Sequence, residues 1–436
     1  MNRLHFDLSR NDGKFKMMHA VNNGPIHKRH AKDQNLSNII SWTAAKIPMA
    51  RNHDASYCSQ YGGEHSVDIS AIFPDFSKDP YAPESYDFAC TDELVLVTLD
   101  AGTKIYYRLG QKIEHYIKKF STLPPPDFKK WAIICEHIIR HYNEGWANGF
   151  KLNIEYWEIW NEPDLDPDDS KDKRTWGGTQ KQFLDLFEIT AKHLKKCFPE
   201  LKIGGPALAM SKNAEFYLSN MKKRGIPVDF FSWHIYCNEP VWAIEAAKHV
   251  REMMIKYGYG DKESILNEWN YVKGWSGAEL LLSLKSIASF KGASFTMAMM
   301  AAAQNSEIDI LMYYDARPCG YNGLFAPYTY ECLKGYYPFL WFSQLYECER
   351  QIICSDNCDN IYTLCGISKE GKVISTVTYY SDDDGACDKD ISIDFGKSGR
   401  YSVYMIGKDN YGELIGEYSS LDFKLPVNST LFIKEI

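Results

Sequence analysis

The sequence predicts an α/β fold, a (β/α)8 barrel with a C-terminal antiparallel β-sandwich. Two observations carry this. From about residue 15 to 345, short apolar runs ending in polar or aromatic residues alternate with segments of helical spacing. After residue 345 the helical spacing stops, and alternating runs punctuated by turns take over. The expected division is therefore a barrel over 15–345 and a sandwich over 346–436. Residues 1–14 are expected to add a strand to the sandwich, since Leu4, Phe6 and Leu8 alternate with His5, Asp7 and Ser9.

The eight expected barrel strands are MMHAVNN, IPMARNHD, KIYYRLG, IEYWEIWNEP, KIGGPALAM, FFSWHIY, SILNEWN and DILMYYDAR. Between them, Phe128–Trp146, Gln180–Phe198 and Val241–Tyr257 read as helices; in the first, Trp131, Ile134, Ile138 and Ile139 recur at helical spacing. Eight such units in about 330 residues are the measure of a closed barrel. The sandwich is read from IYTLCGIS, KVISTVTYY, DISIDF, RYSVYMIG, LDFKL and STLFIKEI, with turns at Lys369–Gly371 and Asp382–Gly385. It is read as a structural buttress rather than a sugar-binding module.

Composition narrows the classes. At 436 residues, 45% hydrophobic and 24% charged, the chain is neither disordered nor collagen-like. A net charge of −8 without a long Lys/Arg run argues against a nucleic-acid partner. The longest apolar stretch, Leu280–Ala303, is broken by Lys285 and Lys291, so no membrane span is expected. Met1–Arg10 has no apolar leader segment, and the twelve cysteines include no CxxC; the expectation is a cytoplasmic chain with reduced thiols. No Walker or dinucleotide glycine motif and no His/Cys grouping with metal spacing is present, so neither cofactor nor metal is expected. The acidic run Asp164, Asp166, Asp168, Asp169 and Asp172 lacks the glycine and terminal glutamate of a calcium loop. It reads as solvated.

The sharpest features are two glutamates just past apolar runs: Trp157-Glu158-Ile159-Trp160-Asn161-Glu162-Pro163 and Ile265-Leu266-Asn267-Glu268-Trp269-Asn270. Either alone reads as a surface loop glutamate. Glu162 and Glu268 are 106 residues apart, room for three βα units of about 35 residues. That places them on the fourth and seventh barrel strands, nearly opposite across the mouth, where their carboxyls can converge on one bond. Paired carboxyls are what glycosidic cleavage requires, one as acid and the other at the anomeric carbon. Trp160 and Pro163 would desolvate Glu162 and favour its protonated form.

These segments resemble glycoside hydrolase family 39, within the large clan of retaining (β/α)8 glycosidases. WEIWNEPDL is similar to that family's acid/base segment, implying Glu162 as general acid/base. LNEWN resembles its nucleophile segment, implying Glu268 as nucleophile. Asn161 matches the clan's asparagine that binds the sugar 2-hydroxyl, and Asn22–Pro25, Arg51-Asn52-His53 and His234-Ile235-Tyr236 match as well. The resemblance implies β-xylosidase first, then enzymes of arabinosides, galactosides or an exopolysaccharide; a non-catalytic carbohydrate-binding barrel is the rival. The expected partner is a glycoside or oligosaccharide, and a homo-oligomer is left open.

Around the glutamates, Arg51 is expected to brace Glu268, with His53 beside it. His234 and Tyr236 share one face of their strand, so both can enter the mouth, and Tyr236 can donate to Glu268. Tyr314 and Trp160 complete the expected substrate-binding set, with Trp233 and Trp269 as further candidate walls.

Overall fold

The structure, a computed structural model, describes residues 2–27, 29, 37–54, 66–356 and 358–436. After β1 (Asn2–His5), eight strands close a parallel barrel: β2 (Met17–Asn22), β3 (Met49–Arg51), β4 (Lys104–Leu109), β5 (Tyr156–Ile159), β6 (Lys202–Leu208), β7 (Phe230–Cys237), β8 (Glu263–Tyr271) and β9 (Ile310–Tyr313). The ring closes where β2 pairs with β9. The strands are buried on both faces, which explains why they read as continuous apolar runs. Tyr106, Tyr156, Phe230, Ile265 and Met312 fill the bottom of the barrel interior.

The outer layer is helical. The helix Phe128–Asn143 opens on an Asp127 cap that accepts from Lys129 N and Lys130 N. Gln180–Cys197 opens on a Thr179/Gln182 capping box. The apolar stretch near residue 290 forms two helices, Gly277–Ile287 and Phe290–Gln304. No helix among the described residues is long and apolar enough to cross a membrane.

The C-terminal strands are β10 (Arg350–Gln351), β11 (Ile361–Ile367), β12 (Val373–Tyr379), β13 (Lys389–Asp394), β14 (Tyr401–Ile406), β15 (Tyr411–Tyr418), β16 (Asp422–Leu425) and β17 (Ser429–Glu435). Six form a sheet in the order β10-β11-β12-β17-β14-β15, faced by a second sheet, β1-β13-β16. The N-terminal strand pairs parallel to β13, Leu4 opposite Ile393. Leu4, Phe6, Val377, Ile391, Val403 and Ile433 meet between the sheets. The larger sheet turns Leu364, Ile406 and Phe432 toward the barrel core, where Phe432 stacks on Trp341 at 5.1 Å.

Candidate active site

The barrel mouth receives one glutamate from a strained turn and the other from a strand bulge. Past β5, Trp160 and Glu162 both take left-handed backbone angles, φ 75° and 48°, which non-glycine residues adopt only where the surroundings hold them. Here Trp160 N donates to Leu109 O at 2.7 Å and Glu162 N to Ala207 O at 2.9 Å. Thr175 Oγ1 donates to Glu162 O at 2.6 Å. A Cβ on Gly110 would lie 3.0 Å from Trp160 Cα, so the close approach of this turn to the end of β4 needs glycine. Glu268 lies within β8, where the β7 register passes from Trp233–Leu266 to His234–Glu268 and leaves Asn267 as the extra residue. That bulge sets Glu268 opposite His234.

The two carboxyls meet. Glu162, His234 and Glu268 each bring one ligand-type atom to within 4.8 Å of the others. His234 Nδ1 is 2.9 Å from Glu162 Oε1 and 3.6 Å from Glu268 Oε2. Tyr236 donates its hydroxyl to Glu268 Oε1 at 2.6 Å, and Arg51 Nη1 reaches Glu268 Oε2 at 3.2 Å. His53 Nε2 lies 3.7 Å from the same oxygen.

Arg51 is buried and organises the site floor. Its Nε donates to Glu158 Oε2 at 2.7 Å, its Nη1 also to Asn22 Oδ1 at 3.0 Å, and its Nη2 to Asn161 Oδ1 at 2.7 Å. With its oxygen taken by Arg51, Asn161 retains the amide NH2 as a donor. Tyr314 donates to Asp54 Oδ2 at 2.7 Å, and its ring lies 6.3 Å from those of both His53 and Tyr236.

Electrostatics follow from this burial. Desolvation pushes both Glu162 and Glu268 up to about 7, and each carboxyl raises or is raised by nearby acids while Arg51 opposes the rise. Among the described residues the donors are unequally shared: Glu268 accepts from Tyr236 and Arg51, whereas the Glu162 carboxyl pairs with His234. This sharing favours the negative charge on Glu268 over Glu162. Burial drives His53 and His234 down, chiefly by desolvation, so both imidazoles are neutral near pH 7.

Several expectations are corrected. Trp160 is no sugar platform: it is 0% exposed, packed on Trp131 and Trp176 at 5.8 and 5.1 Å, with its indole N–H donating to Thr175 O. Its positive φ turns the ring outward into the helical layer. Trp233 and Trp269 are equally buried. Trp275, by contrast, is 59% exposed and edge-on to Tyr236 at 5.0 Å. The acidic run is not simply solvated either: Asp164 is buried and accepts from Ala209 N, Met210 N and Asn213 Nδ2.

Sequence reasoning also passed over Glu158. It is fully buried on β5 and accepts from Tyr106, Ser232, Asn267 and Arg51. As for ions, the Glu162–His234–Glu268 trio has donors for a divalent cation, but Arg51 already supplies positive charge at Glu268. A second trio, Glu136, His193 and Cys197, is engaged otherwise, with Glu136 accepting from Arg140 and paired with His193.

A closed parallel barrel whose C-terminal rim brings two glutamates together is the arrangement of the two-carboxylate barrel glycoside hydrolases. Residues 66–265 match the family described as glycosyl hydrolases family 39. A β-xylosidase of Caldicellulosiruptor saccharolyticus is 27% identical over 187 residues, 41% of this chain and 36% of that protein. A β-xylosidase of Geobacillus stearothermophilus is 31% identical over 124 residues, 28% of this chain and 23% of that protein. The aligned stretch thus spans little more than a third of the longer match. A glucosidase structure from Croceicoccus marinus superposes with a TM-score of 0.81 at 23% identity, covering 100% of this chain and 99% of that one. Residues 66–265 are thus similar to glycosyl hydrolase family 39, and the fold as a whole is that of a glycosidase barrel with its sandwich.

Proposed function

We propose that this protein is a retaining β-glycosidase, with β-xylosides as its first substrate class. The observation that carries the reading is the approach of one oxygen of Glu162 and one of Glu268 to within 4.8 Å. Retaining enzymes hold their carboxyls about 5–5.5 Å apart, whereas inverting enzymes leave about 6.5–9.5 Å for a water.

In the first step, protonated Glu162 gives its proton to the departing glycosidic oxygen while the Glu268 carboxylate bonds to C1. The C1–O bond breaks and a glycosyl ester of Glu268 forms. In the second step, Glu162, now ionised, takes a proton from water. The water oxygen bonds to C1 and Glu268 leaves as carboxylate. Arg51 and Tyr236 favour the ionised nucleophile before attack and after release. Asn161 is placed to donate to the hydroxyl next to C1.

The xyloside preference rests on the two β-xylosidases that the barrel resembles. Arabinosides, galactosides and exopolysaccharide fragments are the next substrates to try. Proton NMR of p-nitrophenyl β-xyloside hydrolysis tests the reading: β-xylose is expected as the first-formed product. First-formed α-xylose would overturn retention, and no turnover across a panel of aryl glycosides would favour a binding protein.

A further inference from the structure

The sandwich sets one buried carboxylate against the ends of the catalytic strands. Asp382 follows β12 in the turn ahead of β13 and is buried. Its Oδ1 accepts from Tyr271 OH at 2.6 Å and pairs with Lys291 Nζ at 2.6 Å. Its Oδ2 accepts from Asn238 Nδ2 at 2.7 Å and pairs with Lys273 Nζ at 2.9 Å. Four donors on one carboxylate hold it ionised.

These donors are placed informatively. Asn238 lies two residues past Tyr236, immediately after β7. Tyr271, the last residue of β8, lies three past Glu268. The β7–β8 pairing ends at Cys237–Tyr271, with one further main-chain bond, Val272 N to Cys237 O at 3.2 Å. Beyond that point Asp382 joins the two strand ends. Neighbouring Tyr380 adds a hydrogen bond to Asn238 O and packs on Phe295 at 5.3 Å, which anchors the turn to the barrel. The segment leaving β8 then carries Trp275 back over the Tyr236 ring. The 2.6 Å bond from Tyr236 to Glu268 crosses between these same two strands.

We infer that Asp382 is a positioning residue for the reaction: by tying the ends of β7 and β8 to one carboxylate of the sandwich, it holds Tyr236 against Glu268. This rests on the assignment of Glu268 as nucleophile. It gives the sandwich a role in turnover beyond buttressing.

The test compares wild type with Asp382→Asn, Asp382→Ala and the milder Tyr271→Phe, which removes one hydroxyl and keeps the ring. Active sites are counted with an activated 2-deoxy-2-fluoro-xyloside, and kcat, KM and the pH profile are measured per site. Asp382→Ala is expected to lower kcat per site by about 10-fold or more, with KM changed by no more than about 3-fold. The acidic limb is expected to move to higher pH, because a slackened Tyr236 withdraws a donor from the nucleophile. Tyr271→Phe is expected to move both readouts the same way, more weakly. A merely structural role would reduce the number of competent sites and leave kcat per site and the acidic limb unchanged. That result in Asp382→Asn and Tyr271→Phe would overturn the inference, and Tyr271→Phe decides it if the Asp382 variants fail to fold. A wild-type chain that neither traps nor hydrolyses xylosides or other aryl glycosides would instead overturn the assignment of Glu268. The two failures are therefore distinguishable.

Discussion

Arg51 and Glu158 form an ion pair at 2.7 Å in which neither side chain exposes any surface, and through it the floor of the site is fixed. Glu158 Oε1 accepts from Tyr106, Ser232 and Asn267, so every neighbour of the carboxylate is a donor. Replacing it with glutamine removes the charge that Arg51 pairs with and sets an NH2 against either Arg51 Nε or the Asn267 amide NH2. Glu158→Gln is expected to cost about 3–5 kcal/mol of stability, as for other broken buried pairs. Urea unfolding of the variant checks this; a loss under about 1 kcal/mol would show that Arg51 is held by its other partners.

The two raised carboxyls predict the pH dependence. The proposed mechanism needs Glu268 ionised and Glu162 protonated, so kcat/KM is expected to follow a bell whose two apparent pKa values belong to the pair. Glu162→Gln is expected to remove the alkaline limb on substrates with good leaving groups. Stability carries the same information. Below about pH 4, folded and unfolded chains both keep the Glu162 proton and burial has no ionisation penalty. Between about 4.5 and about 7 the unfolded chain ionises first, so stability falls as pH rises. The variant is thus expected to be more stable than wild type at pH 8, by about 1–3 kcal/mol, with the gap closing by pH 4. Melting curves of both proteins at the two pH values read it directly.

Removing each glutamate separates their roles. Glu268→Gly is expected to abolish hydrolysis, and added azide to restore turnover as a glycosyl azide of opposite anomeric configuration, because azide then attacks C1 directly. Glu162→Ala is expected to lose far more activity on poor leaving groups than on activated ones, which need no proton. Equal losses on both would remove Glu162 from the acid role.

The barrel was legible because its buried parallel strands are written as largely apolar runs, so polar residues that follow such a stretch stood out, Glu162 just past β5 and Glu268 inside β8 among them. The floor was not. Glu158 sits inside such a run, and its partner Arg51 is 107 positions away. The left-handed turn at Trp160 and Glu162 and the bulge at Asn267 both break the two-residue alternation that assigns side chains to faces. The edge strand β15 passed unnoticed for another reason: Glu413 and Glu417 interrupt its pattern, and most of its residues are exposed or half-exposed.

Two tryptophans near the glutamates make the clearest contrast between packing and binding. Trp160 is buried among Trp131, Trp176 and Phe183, so Trp160→Ala is expected to cost about 3–5 kcal/mol of stability by leaving a cavity. Trp275 projects from the segment after β8 with 59% of its surface free and touches Tyr236 edge-on. In the proposed reaction its ring is expected to contact the part of the substrate that leaves. Trp275→Ala is expected to leave the melting temperature nearly unchanged while raising KM about 3–10-fold, the worth of one aromatic contact. The rise should be larger for xylobiose than for an unsubstituted methyl xyloside, whose leaving group cannot reach the ring. Equal effects on the two substrates would remove Trp275 from the leaving-group side of the mouth.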